Sequence, residues 1–173
     1  MKYKTEEKWY ALFVATGDED KVKERINFRM QYQVRAIVPK RGMKERKDGK
    51  WEYKIRILFP GYVLLNGVIT SETYETLRDI PGVIRLLRDN DGLQQINEKE
   101  IEIISRLTTD SEIIGSSTIY ESGGRIIVID GPLYGLEGSI QSFDKRKGRV
   151  KVTLNLMNEQ RIVELSVALV QPA

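Results

Sequence analysis

The sequence predicts an α+β domain, helices packed on one antiparallel sheet, joined by a linker to a small β-barrel. Three observations predict it. Up to Leu107, apolar runs of strand length alternate with stretches whose apolar residues recur every three or four positions, the mark of strands exchanging with amphipathic helices. Near Thr108 that periodicity stops, and Thr108-Thr109-Asp110-Ser111 and Gly115-Ser116-Ser117-Thr118 offer only small and polar residues. Beyond Gly123-Gly124 come short β-rich runs broken by glycine or charge, with no helical stripe among them. The expected boundaries are a first domain over 1–108, a linker over 109–118 and a second domain over 119–173.

In order, Trp9 to Ala15 is continuously apolar, which suits a central strand covered on both faces. Thr16-Gly17-Asp18-Glu19-Asp20 then brings capping oxygens and acidic residues to the start of a helix, along which Val22, Ile26 and Met30 form a buried stripe ending near Gln31. Val34 to Val38 reads as a second strand, closed by Pro39. From Arg41 to Lys54 the chain is polar and basic, a hairpin or a flexible loop, with Asp48-Gly49 at its middle as a two-residue turn signal. Ile55 to Leu58 returns to strand and meets the corner Phe59-Pro60-Gly61-Tyr62, where Pro60 fixes its own φ and Gly61 permits a turn closed to other residues.

Val63 to Asn66 leaves that corner as a strand, and Ser71-Glu72 starts a short helix with Tyr74, Leu77 and the Arg78 stem facing inward. Pro81-Gly82 stops it, and Val83 to Leu87 is a further strand. Asn97 with Glu100 forms a capping-box pattern ahead of a helix striped by Ile101, Ile104 and Leu107, with Ile103 widening the stripe. Ile113-Ile114 is an apolar pair inside the linker, able to dock. The second domain should hold strands over Arg125 to Ile129, Gly138 to Phe143, Arg149 to Leu156, Gln160 to Leu165 and Ala168 to Gln171, closing a small barrel.

Composition narrows the chemistry. The 173 residues contain neither cysteine nor histidine, so thiol chemistry, disulfides, sulfur-ligated metals and the commonest proton shuttle are excluded. No Gly-x-x-x-x-Gly-Lys loop occurs and no carboxylate pair sits in a pocket-like context, so binding is expected rather than catalysis, with no cofactor and no metal. The charged start Met1 to Lys8, followed by only a short apolar strand, resembles neither a secretory leader nor a membrane span, so a cytoplasmic protein without membrane contact is expected. Net charge is only +3, but it is uneven: Lys44, Arg46, Lys47, Lys50 and Lys54 crowd one segment, and Lys145, Arg146, Lys147, Arg149 and Lys151 another.

The most specific stretch runs from Ile126 to Ile140, where a strand enters Gly131-Pro132 and then Gly135 and Gly138 allow backbone to pass close to backbone. It resembles a KOW motif, with Gly131, Gly135 and Gly138 as its turn and the strand through Val150-Lys151-Val152 completing it. Upstream, Trp9-Tyr10, Phe59-Pro60-Gly61-Tyr62-Val63-Leu64 and Ile80-Pro81-Gly82-Val83 resemble the N-terminal (NGN) domain of the NusG/Spt5 family. Order and spacing match as well, so the resemblance covers nearly the whole chain.

That resemblance implies a transcription elongation factor, monomeric, whose NGN domain rides on RNA polymerase and whose tethered KOW barrel recruits a second partner. It implies that the polymerase clamp helices dock on an aromatic concavity, to which Tyr10, Phe59 and Tyr62 correspond, with Leu86 and Leu87 on a nearby strand; Trp9 is assigned to the core. Family members of general role carry a Phe-Gly-Arg turn before a Val-Glu-Leu strand and there bind termination factor Rho or a ribosomal protein. Here Val163-Glu164-Leu165 is kept, but the turn reads Met157-Asn158-Glu159, which points to a specialised paralogue similar to RfaH or LoaP, serving processive antitermination on selected operons.

The run Lys145-Arg146-Lys147-Gly148-Arg149-Val150-Lys151, with Arg161 beyond the next turn, reads either as solvated surface or as a phosphate clamp for a nascent RNA hairpin, whose loop or bulge offers what a regular duplex hides. Non-template DNA is a further candidate contact, and the basic segment 44–54 a candidate track for nucleic acid. The alternatives are a general family member whose KOW domain binds Rho or ribosomal protein S10, and a ribosome-associated KOW RNA-binding protein without polymerase contact. Because β-branched residues dominate Ile126 to Ile129 and Val150 to Thr153, the second domain is expected to stay a barrel and not refold into helices.

Overall fold

The computed structural model describes residues 8–31, 33–89 and 92–171; the charged stretch Met1 to Glu7 lies outside them. The chain begins β1 (Lys8–Val14), α1 (Glu19–Met30), β2 (Arg35–Ile37), β3 (Lys40–Lys47), β4 (Lys50–Ile57), β5 (Tyr62–Gly67), α2 (Ser71–Arg78), β6 (Val83–Leu86), β7 (Arg88–Asp89) and β8 (Gly92–Leu93). It continues α3 (Glu98–Leu107), β9 (Ile113–Ile114), β10 (Ser117–Ser122), β11 (Arg125–Asp130), a 3-10 turn (Glu137–Ser139), β12 (Ile140–Asp144), β13 (Arg149–Leu156) and β14 (Glu159–Leu169). Two compact units divide the chain, one formed by 1–38 and 59–101, the other by 39–58 and 102–173.

In the first unit an antiparallel sheet runs β2-β5-β1-β6. The apolar run of β1 lies at its middle, and Ala11, Leu12, Val14, Val63, Leu64 and Leu65 are all buried, as a strand covered on both faces requires. Trp9 is buried as core. On α1 the stripe is real at Val22 and Ile26, and Gln31 ends the helix in the left-handed region. Asp18 makes no capping bond with its side chain; Glu19 turns back instead, to a use described below. Asn27 exchanges both amide groups with the Ala36 backbone, standing in for a strand partner at the edge of β2. Thr70 caps α2 and Asn97 caps α3 through their side-chain oxygens.

In the second unit the basic segment is an ordered hairpin. β3 and β4 pair in full register from Lys40↔Ile57 to Lys47↔Lys50, closed by Asp48-Gly49 with both residues at positive φ, the two-residue turn that this dipeptide signals. β9 adds to β3 in parallel, so the Ile113-Ile114 pair does dock, with Ile114 buried. A five-stranded sheet follows in the order β11-β10-β14-β13-β12.

Three expectations about this unit change. Ser117 to Ser122, assigned partly to the linker, forms β10, whose alternation Ser-Thr-Ile-Tyr is too polar to announce a strand until it pairs with β11 and β14. The two last strands are one continuous β14 of 11 residues. Among the described residues no ladder joins β11 to β12, so the five strands make an open half-barrel, with the 3-10 turn between its edges and the Glu137 carboxylate accepting from the Val128 N–H. Among the described residues no helix is long and apolar enough to cross a membrane, and no three acidic side chains gather as a metal site.

Candidate functional site

The corner Phe59-Pro60-Gly61-Tyr62 is a type II turn. The Tyr62 N–H donates to the Phe59 carbonyl at 3.1 Å, and Gly61 has φ +85, the conformation that turn demands at its third position. The Val14 N–H donates to the Gly61 carbonyl at 2.9 Å, and the buried Glu19 carboxylate accepts from the Gly17 N–H at 2.6 Å and from the Gly61 N–H at 3.0 Å. One carboxylate thus clamps the corner to the loop leading into α1. Its charge is held by charge-assisted bonds from two backbone donors.

This clamp fixes where the rings stand. Phe59 is 1 % exposed and Leu86 4 %, so both pack the core and shape the surface only from beneath. Tyr62 is half-buried, and its ring meets Phe13 edge-on at 5.4 Å, with the Arg85 guanidinium 5.8 Å from the Phe13 centroid. The ladder explains the cluster: Phe13 lies opposite Tyr62 on β5 and opposite Arg85 on β6, so the three share one face. Tyr10, three residues from Phe13 on the same strand, points to the other face with Leu12, as does Leu86. Burial pushes its phenol above the ordinary 10.0. Leu87 is half-buried just past β6, donating to the Ala11 carbonyl at 3.4 Å. Phe13 and Arg85 escaped the sequence reading, although alternation along β1 would have paired Phe13 with Tyr62 once the register was known.

The glycines of the second unit differ in kind. At Gly131, φ is +106 and a Cβ would lie 2.6 Å from the Ser117 Cα, a true backbone-to-backbone approach. There the buried Ser117 hydroxyl accepts from the Leu133 N–H at 2.9 Å. Gly135 has φ +79 with the Arg106 side chain against it, and Arg106 donates to the Tyr134 carbonyl at 3.1 Å. Gly138 has no positive φ and open space about it, so no close approach requires glycine there.

Of the basic cluster, Lys145, Arg146 and Lys147 are exposed on the turn between β12 and β13. Asp144 builds that turn, its carboxylate accepting from the Lys147 N–H at 3.0 Å and its carbonyl from the Gly148 N–H at 2.9 Å. Lys151 is exposed on β13. Arg149 is a fastening instead: it pairs with Glu164 at 3.0 Å and donates to the Lys44 carbonyl at 2.8 Å. Arg161, half-buried and paired with Glu159 at 3.1 Å, stands opposite Leu154. That is five residues along β13 from Arg149, roughly 17 Å of strand, so it does not join the turn.

The two basic segments, distant in sequence, converge. An open groove of about 500 Å³ lies between the β3–β4 hairpin and the β12–β13 turn. Arg46, Lys47, Lys54, Arg56, Lys147 and Arg149 line it against two carboxylates, Glu45 and Glu52. Arg41 helps hold the hairpin there, donating to the Glu164 carbonyl at 2.9 Å, and burial lowers its pKa from the ordinary guanidinium value. The surplus of cations makes the groove attractive to polyanions.

A family model described as "Transcription termination factor nusG" matches residues 7–105. The transcription termination/antitermination protein NusG of Buchnera aphidicola is 30% identical over 176 residues, covering 95% of this chain and 96% of that protein. The NusG protein of Rickettsia felis is 28% identical, covering 94% of this chain and 88% of its own length. Among solved structures, one titled "Domain interaction in Thermotoga maritima NusG" is similar with a TM-score of 0.60 and 26% identity, covering 92% of this chain and 93% of that one.

Proposed function

This chain belongs to the NusG family of transcription factors, and on that premise we propose that it is an antitermination factor that holds RNA polymerase and a nascent RNA hairpin together. The polymerase contact is assigned to the Phe13, Tyr62 and Arg85 face, beside the clamped corner, where two rings and a cation can seat an apolar partner helix. The factor acts as a monomer without chemistry of its own. It favours the closed clamp over the paused state because it binds the two with different affinity.

The observation that carries the RNA half is the convergence of two basic clusters on one groove, since a solvated charged tip alone would not gather cations from strands about a hundred residues apart. Specialisation is supported by Met157-Asn158, which replaces the turn that general members use. A general NusG role is the second reading, favoured by the names of the relatives.

The test is a salt series of the full chain against a stem-loop RNA. Changing Lys145, Arg146 and Lys147 to alanine should lower the slope of log K against log salt by up to about 3 and weaken binding at least tenfold. An unchanged slope would return the turn to solvated surface. Polymerase capture that survives nuclease treatment and is lost in Tyr62→Ala would support the other half.

A further inference from the structure

The hairpin has a second face that the groove meets only at its edge, through Arg46 and Trp51. Between Lys40 and Ile57 stand eight Lys and Arg against three Asp and Glu, a net +5 where the whole chain carries +3. The ladder sorts these charges. Gly42↔Ile55, Lys44↔Tyr53 and Arg46↔Trp51 place one set of side chains on one face, and Met43↔Lys54, Glu45↔Glu52 and Lys47↔Lys50 place the rest on the other. Both strand carboxylates fall on that second face, and both are paired there, Glu45 with Arg56 at 2.8 Å and Glu52 with Lys54 at 3.2 Å.

The first face therefore carries rings and cations, with no carboxylate from either strand. Trp51 is 51 % exposed, Tyr53 61 % and Ile55 48 %. Leaving such rings in water is unfavourable, so their exposure marks a surface with a use. Each ring stands across from a cation, Tyr53 from Lys44 and Trp51 from Arg46. The hydroxyl end of the Tyr53 ring lies over the Gly42 backbone, where any Cβ would displace it, so the sheet supports that end of the ring. Trp51 and Arg46 also border the groove that reaches Lys147, which makes platform and groove continuous.

We propose that the Trp51–Tyr53 face is a stacking platform for single-stranded RNA, the segment flanking the hairpin held at the groove. Rings that stack on bases, alternating with cations that meet phosphates, are what sequence-tolerant single-strand binding needs. Lys44 and Arg46 have no carboxylate from β3 or β4 on this face, so the partner must bring its own negative charge, as a phosphate backbone does along its whole length. The inference rests on the RNA reading above.

The experiment uses the full chain and two RNAs, a blunt stem-loop and the same stem-loop with a single-stranded tail of about ten nucleotides. The tail should tighten binding about tenfold or more. Trp51→Ala with Tyr53→Ala should abolish that gain, Tyr53→Ala alone, at a ring outside the groove, should reduce it while leaving the blunt affinity unchanged, and Trp51→Phe should keep part of it. Both side chains are exposed, so these variants should fold, which circular dichroism checks. If the tail adds nothing, or its gain survives the double change, the platform is overturned while blunt binding leaves the RNA reading standing. If neither RNA binds, the RNA reading falls first and the platform with it. A deoxyribose tail that binds more tightly than the ribose one overturns the assignment to RNA in favour of non-template DNA.

Discussion

Glu19 shows how one residue can organise a surface it does not enter. Its carboxylate reaches back to Gly17 and across 42 residues of sequence to Gly61, and nothing in the local pattern separates it from an ordinary acidic residue in a first helical turn. Glu19→Ala would leave the buried Gly61 N–H without an acceptor and release the exposed Gly17 N–H to water, and should cost about 2 kcal/mol in denaturant unfolding, with loss of polymerase capture although Tyr62 is intact. The glycines divide in the same physical way. Gly131→Ala should unfold the second unit or cost several kcal/mol, because the new Cβ meets Ser117 backbone that cannot yield, whereas Gly138→Ala should change stability by less than about 1 kcal/mol. A motif spelled by three glycines thus makes a steric and a conformational demand at the first, a conformational one at the second, where φ is +79 and only a flexible side chain crowds it, and neither at the third.

Among elements, two of the hairpin turns in the second unit contrast. Asp48-Gly49 announced itself, since only a few residue types accept positive φ at both positions. Met157-Asn158 adopts the same geometry, φ +54 and +64, with a methionine where that conformation is costly. Replacing the pair by Asn-Gly should raise stability by about 1 kcal/mol, measured by thermal or denaturant unfolding, and any loss of antitermination in that more stable variant would assign Met157 to a partner.

The β3–β4 hairpin adds a pH dependence. A hydrogen bond and the charge of Arg56 hold the Glu45 carboxyl below its ordinary 4.5, so the pair's contribution is present above that value and lost as pH falls through the depressed one. Nuclear magnetic resonance titration should show Glu45 protonating below the ordinary range, and Arg56→Ala should return it there.

For the molecule as a whole, the decisive fact is that 39–58 belongs with 102–173 and not with the strands on either side of it in the chain. Arg149 and Arg41 fasten that association across 105 and 123 residues. Arg149→Ala should therefore speed amide exchange across β3 and β4 and weaken RNA binding, without changing the first unit's protection.

The local patterns already held the helices α1, α2 and α3, the central apolar strand, the corner, the Asp48-Gly49 turn and the family itself, because periodicity, capping and turn chemistry act between residues a few positions apart. Side-chain direction and long-range pairing were decided only in three dimensions. Register, not composition, separated Tyr10 from Tyr62 and drew Phe13 and Arg85 into one cluster, and the packing of the corner buried Phe59. The same kind of pairing turned a polar stretch into β10, left the half-barrel open and brought two basic segments to one groove. A sequence states which faces an element can offer; what covers each face depends on contacts between residues that only the folded chain makes neighbours.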